Sequence, residues 1–410
     1  MDIYLVGGAV RDKFLDYPVK ERDWVVVGGS EQQMTDAGYR KVGRDFPVFL
    51  HPKTQEEYAL ARTERKTGSG YIGFSCDSST GVTLEQDLQR RDLTINAMAL
   101  DTGGKLVDPY GGQIDLKNRL LRHVSPAFTE DPLRVLRVAR FAARYHHLGF
   151  KVADETMALM QQMVEVGEIE HLVAERVWQE MAKALAEQHP AQFIGTLRSC
   201  GALAVLLPEL DQLFGVPQPE KYHPEIDTGV HVLLALEVAV TLTPFTATRF
   251  AVLMHDLGKG LTPKSLWPSH LGHEKKGLQP LRAICQRLKV PKQHAELAEL
   301  AARHHMSCHR IMQMRPVKLM ELFSSTDALR RPERFHEFLL ACEADARGRA
   351  GLLDQPYPQG AFLRKIITAL QNLDSQELIS QGYSGKQLGD KIRQQQIDTI
   401  TNLLAQEKSL

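Results

Sequence analysis

The sequence predicts an α+β protein: an N-terminal head on a small mixed or antiparallel sheet, followed by an all-helical remainder. Three observations predict it. Short apolar runs separated by turn residues fill the first 122 positions. From about residue 126 apolar residues recur instead at three- and four-residue spacing. The 410 residues are enough for several domains, each with its own core. We divide the chain into a head at 1–122, a helical neck and body at 123–220, a histidine-rich helical domain at 226–330 and a helical tail at 331–410.

In the head, the runs Ile3–Val6, Trp24–Val27, Val48–Leu50, Tyr58–Ala61 and Thr94–Ala99 read as strands. Ser30 is placed to cap a short helix at Glu31–Ala37, which Gly38 stops. The segment Lys66–Gly81, rich in Gly, Ser and Thr, reads as a mobile loop. Helical periodicity then runs through Leu133–Phe141, Met157–Val166, Val173–Leu185 and Phe193–Leu207. After a Pro-rich segment at Gly215–Pro219, read as a linker, it resumes at Val230–Val240, Phe250–Leu257, Leu278–Leu288 and Ala295–Ala302, with a final helical region from about 331.

Fifty basic and fifty acidic residues give a formal net charge of zero. That argues against bulk attraction to nucleic acid but leaves room for a local basic groove. The five cysteines (76, 200, 285, 308 and 342) are odd in number and never in CxxC spacing, which suits reduced thiols and no Cys-based zinc site. No signal-peptide pattern opens the sequence. The most apolar stretch, Val230–Leu242, is interrupted by His231 and Glu237 and is too short to span a bilayer. We therefore expect a cytoplasmic protein with no membrane partner.

The chemistry begins at Leu5-Val6-Gly7-Gly8-Ala9-Val10-Arg11-Asp12. Glycines let backbone N–H groups approach a phosphate, and Arg11 can add a fork of donors. Glu21 and Asp23 then precede Trp24-Val25-Val26-Val27 at alternate positions, which a strand turns to one face. Two hard carboxylates beside a phosphate cradle suit Mg²⁺ on a nucleotide. In Gln89–Met98 the arginines can clamp a triphosphate with Asp92 orienting one of them; a solvated turn before a core strand is the plainer reading. The charged strand Glu56–Arg65 offers a further acid for a metal site, but surface solvation is the plainer role of its charges.

Thr129 to Asp131 are placed to cap a helix in which Arg134, Arg137 and Arg140 share one face, with Leu133, Leu136 and Phe141 on another. Surface ion pairs are the alternative. Asp131 beside Arg134 complements the amino donor and ring-nitrogen acceptor that adenine and cytosine share, and repels the reversed pattern of guanine and uracil.

Together Gly7-Gly8-Ala9-Val10-Arg11, the acids at 21 and 23, Arg90-Arg91-Asp92 and Glu130-Asp131-Pro132-Leu133-Arg134, with a weaker match at Glu175-Arg176, resemble the bacterial class II CCA-adding enzymes, tRNA nucleotidyltransferases of the polymerase β superfamily. The chain departs from the usual Asp-x-Asp pattern in having Glu21. The resemblance implies a catalytic head with a helical neck, body and tail. It also implies that Glu21 and Asp23 bind Mg²⁺, that Gly8, Arg11, Arg91, Arg137 and Arg140 hold the nucleotide, and that Asp131 and Arg134 read its base. The implied partners are ATP, CTP and the 3′ end, acceptor stem and elbow of tRNA, met by a monomer or weak homo-oligomer. A poly(A) polymerase is the nearest alternative.

In the helical half, His231, His255-Asp256 and a later Asp resemble the HD superfamily of metal-dependent phosphohydrolases. The resemblance implies a divalent transition metal or Mg²⁺, with Asp345 preferred to Asp327 as last ligand and His270, His273, His304 and His305 as supporting or substrate-facing groups. A degenerate tRNA-binding platform and a phosphohydrolase with a nucleotide-sensing head remain the alternatives.

Overall fold

The computed structural model describes residues 1–19, 21–42, 48–66 and 74–408. The chain divides into two compact units, Met1–Leu206 and Leu207–Leu410.

The first unit opens with β1 (Asp2–Val6), α1 (Gly8–Phe14), β2 (Asp23–Val27), α2 (Glu31–Asp36), β3 (Arg40–Val42), β4 (Val48–Leu50) and β5 (Glu57–Leu60). Then come β6 (Thr63–Lys66), β7 (Phe74–Asp77), α3 (Leu84–Gln89), β8 (Ala99–Asp101) and β9 (Leu106–Val107). Seven strands form a mixed sheet in the order β3-β4-β5-β2-β1-β8-β9, in which only the β2–β5 pair is parallel. Alternation along β2 supplies both faces: Val25 joins a core with Val6, Leu84 and Leu88, while Val26 joins another with Met34, Phe49 and Leu60. Ser30 caps α2 as expected, exchanging bonds with Gln33 in a capping box.

Two expectations for the head need correction. Thr94–Ala99 is not one strand: Thr94–Asn96 forms a 3₁₀ turn and β8 starts at Ala99. The cause is Asp92, whose Oδ1 accepts from the Leu93 N–H (2.8 Å) and the Asn96 amide (2.9 Å) and so favours a turn. Lys66–Gly81 is not all loop either, because Phe74–Asp77 pairs antiparallel with Thr63–Lys66. Residues 67–73 of that expected loop lie outside the described residues.

The remainder of the unit comprises α4 (Gly112–Asn118), β10 (Leu120–Leu121), α5 (Leu133–Tyr145), β11 (Lys151–Val152), α6 (Asp154–Glu165), α7 (Ala174–Ala186), α8 (Pro190–Ser199) and α9 (Ala202–Leu206). Helix α5 packs on α7 and α8. Its start is bonded by Asp131, whose Oδ1 accepts from the Leu133 N–H at 3.1 Å.

The second unit contains α10 (Pro208–Asp211), α11 (Thr228–Leu242), α12 (Thr246–Met254), α13 (His273–Lys276), α14 (Leu278–Arg287), α15 (Lys292–His309), α16 (Pro316–Thr326), α17 (Pro332–Arg347), α18 (Pro358–Gln371), α19 (Gln376–Ser380) and α20 (Gly385–Lys408). Helices α11, α12, α15 and α17 pack together as its core. The Pro-rich segment read as a linker is packed inside this unit: Gln218 is buried, and its N–H donates to the Ile226 carbonyl at 2.7 Å. Helix α17 joins the same bundle, although it lies past the expected domain end at 330. No helix among the described residues is long and apolar enough to cross a membrane.

Candidate active sites

In the first unit the chain leaves β1 through Gly7, whose φ of +68° suits only glycine comfortably. A Cβ there would lie 2.8 Å from Arg91 Nη1, so the absence of a side chain also lets that guanidinium reach the turn. Asp23 opens β2 and lies beside Val6 on one strand and Glu57 on the other. Burial raises its pKa; Arg91 lowers it and Glu21 raises it, which puts all three charges in one field. Glu21 precedes the strand instead of lying on it as expected. Glu21, Asp23, Glu56 and Glu57 line a cleft of about 510 Å³ with Val19, Arg22, Thr54 and Gln55. This concentration of carboxylates fits a divalent cation.

The arginines are tied to acids within the protein. Asp87, buried on α3, binds Arg90 (2.7 Å) and Arg91 (3.1 Å). Arg137 reaches Asp92 at 2.7 Å and Arg140 reaches Glu180 at 2.6 Å. Both partners lie at least 40 residues away in sequence, so these are not surface pairs along one helix. Burial alone would raise the Asp92 carboxyl, but Arg137 and then Asn96 pull it well below the usual range. Arg11 is buried, donates to Asp12 (2.8 Å) and Asn96 (2.5 Å), and stacks over Phe141 and Tyr145. It thereby packs α1 on α5, with Nη2 3.4 Å from where a Gly8 Cβ would stand. Arg134 donates to the backbone carbonyls of Ala127 (2.7 Å) and Arg90 (2.5 Å), while Asp131 pairs with Arg176 at 2.9 Å.

Sequence reasoning anticipated Asp92 but missed Asp87 and Glu180. The signal for Asp87 was its place three and four residues before Arg90 and Arg91. For Glu180 it was an acid among Val177, Trp178, Met181 and Ala184.

In the second unit Asp227 caps α11, accepting from the Val230 N–H at 2.9 Å, and sets buried His231 in the first turn. The end of α12 delivers His255 and Asp256, and the last turn of α17 delivers Asp345. His231 Nε2 lies 3.1 Å from Asp345 Oδ1, and His255 Nε2 lies 3.1 Å from Asp256 Oδ2 and 3.6 Å from Asp345. Burial disfavours a charged His255, yet Asp256 and Asp345 lift its pKa to about 10. His231 Nδ1 lies 2.8 Å from Glu225, which fixes the ring with Nε2 inward.

Asp345, preferred from sequence, therefore lies in this cluster. Asp327 ends α16 in a pair with Arg330. His273 and His305 also face Asp256, at 3.3 and 3.7 Å, and burial together with His255 holds His305 well below its ordinary pKa. His270 instead binds Thr262 (2.5 Å) and the Pro217 carbonyl (2.8 Å), so its role is to hold a loop. His309, unanticipated, binds Asp345 Oδ2 at 2.7 Å. It was missed because the periodicity was read only to Ala302, whereas α15 continues to His309. Buried imidazoles and carboxylates whose ligand atoms lie within 4.8 Å of one another suit a divalent metal.

A nucleotidyltransferase-type head in one unit and a buried histidine–aspartate cluster in the other define the class of protein. Three family models match: the poly A polymerase head domain at 3–122, a probable RNA- and SrmB-binding site of polymerase A at 149–214, and the HD domain at 228–347. Over its full length the chain is 57% identical to the multifunctional CCA proteins of Teredinibacter turnerae (98% of this chain, 97% of the relative) and Thioalkalivibrio sulfidiphilus (99% of each). The chain belongs to this multifunctional CCA protein family. Its fold is also that of a Thermotoga maritima CCA-adding enzyme solved with tRNA, with a TM-score of 0.62 at 19% identity, covering 99% of this chain and 91% of that one. An apo CCA-adding enzyme gives a TM-score of 0.63 at 19% identity, covering 99% and 92%.

Proposed function

We propose that this protein completes and repairs the 3′ end of tRNA by adding C, C and A from CTP and ATP without a template, and that its second site hydrolyses phosphate esters at RNA ends. The full-length identity to multifunctional CCA proteins carries the reading. CCA-adding enzymes of the same fold have been solved with tRNA, with ATP and with CTP.

In this reading Glu21 and Asp23 would hold divalent metal, Mg²⁺, and bound metal would supply charge stabilisation for an in-line displacement at the α-phosphorus. The tRNA 3′-hydroxyl is the nucleophile and pyrophosphate leaves. The Gly7–Gly8 turn admits the triphosphate, Arg91 meets it, and Arg11 supports Gly8 from behind. Arg137 and Arg140, oriented by Asp92 and Glu180, complete the clamp. Asp131 and Arg134 select adenine and cytosine, with Arg176 steadying Asp131. The head occupies 1–122 and the neck and body the rest of the first unit, to Leu206, and the protein acts in the cytoplasm as a monomer or weak homo-oligomer.

At the second site His231, His255, Asp256 and Asp345 hold a divalent transition metal or Mg²⁺. The substrates are phosphomonoesters or 2′,3′-cyclic phosphates, whose removal prepares a 3′ end for addition.

The test is incubation with tRNA ending before CCA and single labelled nucleotides. CCA addition that stops by itself supports the reading, an adenylate ladder favours a poly(A) polymerase, and no incorporation favours a nucleotide sensor. Metal-dependent release of phosphate from a 2′,3′-cyclic nucleotide, lost in His255→Ala, tests the second site.

A further inference from the structure

The segment that leaves α17 carries an arginine with its donors unspent. Arg349 makes no hydrogen bond or ion pair among the described residues, and its Nε is buried. A guanidinium taken partly out of water with its donors unmet is unfavourable until an anion meets them.

The backbone fixes where this arginine stands. Gly348 presses on α11: a Cβ there would lie 2.3 Å from Ala235 Cα and 2.6 Å from Ala235 N, so glycine alone allows the approach. Ala235 follows His231 by one turn and shares its face of the helix. On the other side the Ala350 N–H donates to Glu225 Oε2 at 3.0 Å. Glu225 Oε1 in turn lies 2.8 Å from His231 Nδ1 and 3.1 Å from His223 Nδ1. Arg349 is thus held between two anchors, both beside His231.

The neighbouring carboxylates are committed elsewhere. Glu225 spends both oxygens in the contacts just given. Asp345 turns Oδ1 to His231 and His255 and Oδ2 to His309. Asp256 pairs with Lys259 at 2.6 Å. His223 stands edge-on to His231, with ring centroids 4.7 Å apart. Burial lowers the His223 pKa, Glu225 opposes this, and the charges of His231, Lys259 and Arg349 lower it further. Positive charge therefore collects on the His223 side of the cluster. Lys259 is already bonded to Gln218 and Asp256, which leaves the Arg349 donors for a ligand.

We propose that Arg349 binds the phosphate group of the ester that the second site hydrolyses, its guanidinium fork taking two phosphoryl oxygens. The proposal rests on reading the second unit as a phosphohydrolase, and it assigns a residue that holds substrate instead of metal.

The experiment uses full-length protein loaded with Co²⁺, with adenosine 2′,3′-cyclic phosphate as substrate and inorganic phosphate as competing ligand. Arg349→Ala should raise KM and the inhibition constant for phosphate about 10- to 100-fold, with kcat reduced less than about threefold. Arg349→Lys should recover only part of the affinity, because an ammonium lacks the planar fork. Bound cobalt, measured by equilibrium dialysis, should match the wild type in both variants. Unchanged KM and inhibition constant in Arg349→Ala overturn the proposal. Loss of Co²⁺ in that variant also overturns it, because Arg349 would then be a support for the end of α17. Where Arg349→Ala fails to fold, a wild-type inhibition constant in Arg349→Lys overturns it instead. A wild type that hydrolyses nothing overturns the phosphohydrolase reading itself. Binding of inorganic phosphate, followed by calorimetry in wild type and Arg349→Ala, then still decides whether Arg349 is an anion site.

Discussion

The two centres are assembled by opposite means. In the first unit the charged groups are oriented across long stretches of chain: Arg137 by Asp92, 45 residues away; Arg140 by Glu180, 40 away; Asp131 by Arg176, 45 away. In the second, three imidazoles are oriented within their own segments, His255 and His273 by carbonyls three residues back and His305 by one four back. Ring orientation at the histidine centre thus depends on local backbone, whereas the orientation of the arginines depends on α5 being seated against the head and α7. The first arrangement suits groups that meet a mobile triphosphate, and the second suits fixed ligands.

The largest test separates the centres outright. Asp23→Asn keeps the shape of the side chain but removes the charge, and should reduce CCA addition by about 10³-fold or more while cyclic-phosphate hydrolysis persists. His255→Ala should do the reverse. If either variant lost both activities, the independence of the two chemistries would be refuted.

Next in size is the long-range tie itself. Asp92→Asn leaves Arg137, whose side chain is 36% exposed, without its anionic partner and should cost about 1.5–3 kcal/mol of stability, read by chemical denaturation. The effect depends on pH. A carboxyl held below its unfolded value, about 4, contributes stability above that value and loses it as pH falls through the folded value. The wild type should therefore lose stability between about pH 4 and lower pH by an amount the variant lacks. An identical acid dependence in both proteins would remove Asp92 from the account.

At the histidine centre the corresponding change should be milder, because His255, His273 and His305 are oriented by their own backbone whereas His231 meets a side chain. Glu225→Gln replaces the charged acceptor 2.8 Å from His231 Nδ1 and should weaken metal affinity by about 10- to 100-fold, with little change in melting temperature. Unchanged Co²⁺ affinity would mean that packing alone orients the ring.

The same contrast explains what could be read from sequence. Gly7-Gly8, Asp23 and His255-Asp256 were legible because their chemistry is packed into a few consecutive residues. The sheet and most helices were legible from periodicity. Glu180, Asp87 and Glu225 were not, since their meaning comes from a partner placed by tertiary folding. The Thr94–Ala99 segment failed for a related reason: an apolar run reads as strand until Asp92 turns its carboxylate onto the backbone. His309 was lost because the last two turns of α15, from Arg303, put His304, His305 and His309 where an apolar repeat would be looked for.

The smallest predicted effect probes whether local order in the head matters at all. Helix α3 is only six residues long, and its first turn is closed by a capping box, Thr83 Oγ1 accepting from the Gln86 N–H and Gln86 accepting from the Thr83 N–H. That helix carries Asp87, which holds Arg90 and Arg91 beside the Gly7 turn. Removing the cap in Thr83→Ala should cost about 1 kcal/mol. If the long-range ties set the position of Arg91, the loss should appear as a lower melting temperature with nucleotide KM raised less than about threefold, because Asp87 stays buried between its two arginines. A tenfold or larger rise in KM at unchanged kcat would show that Arg91 is positioned by its own short helix, and the head would then resemble the histidine centre in relying on local geometry.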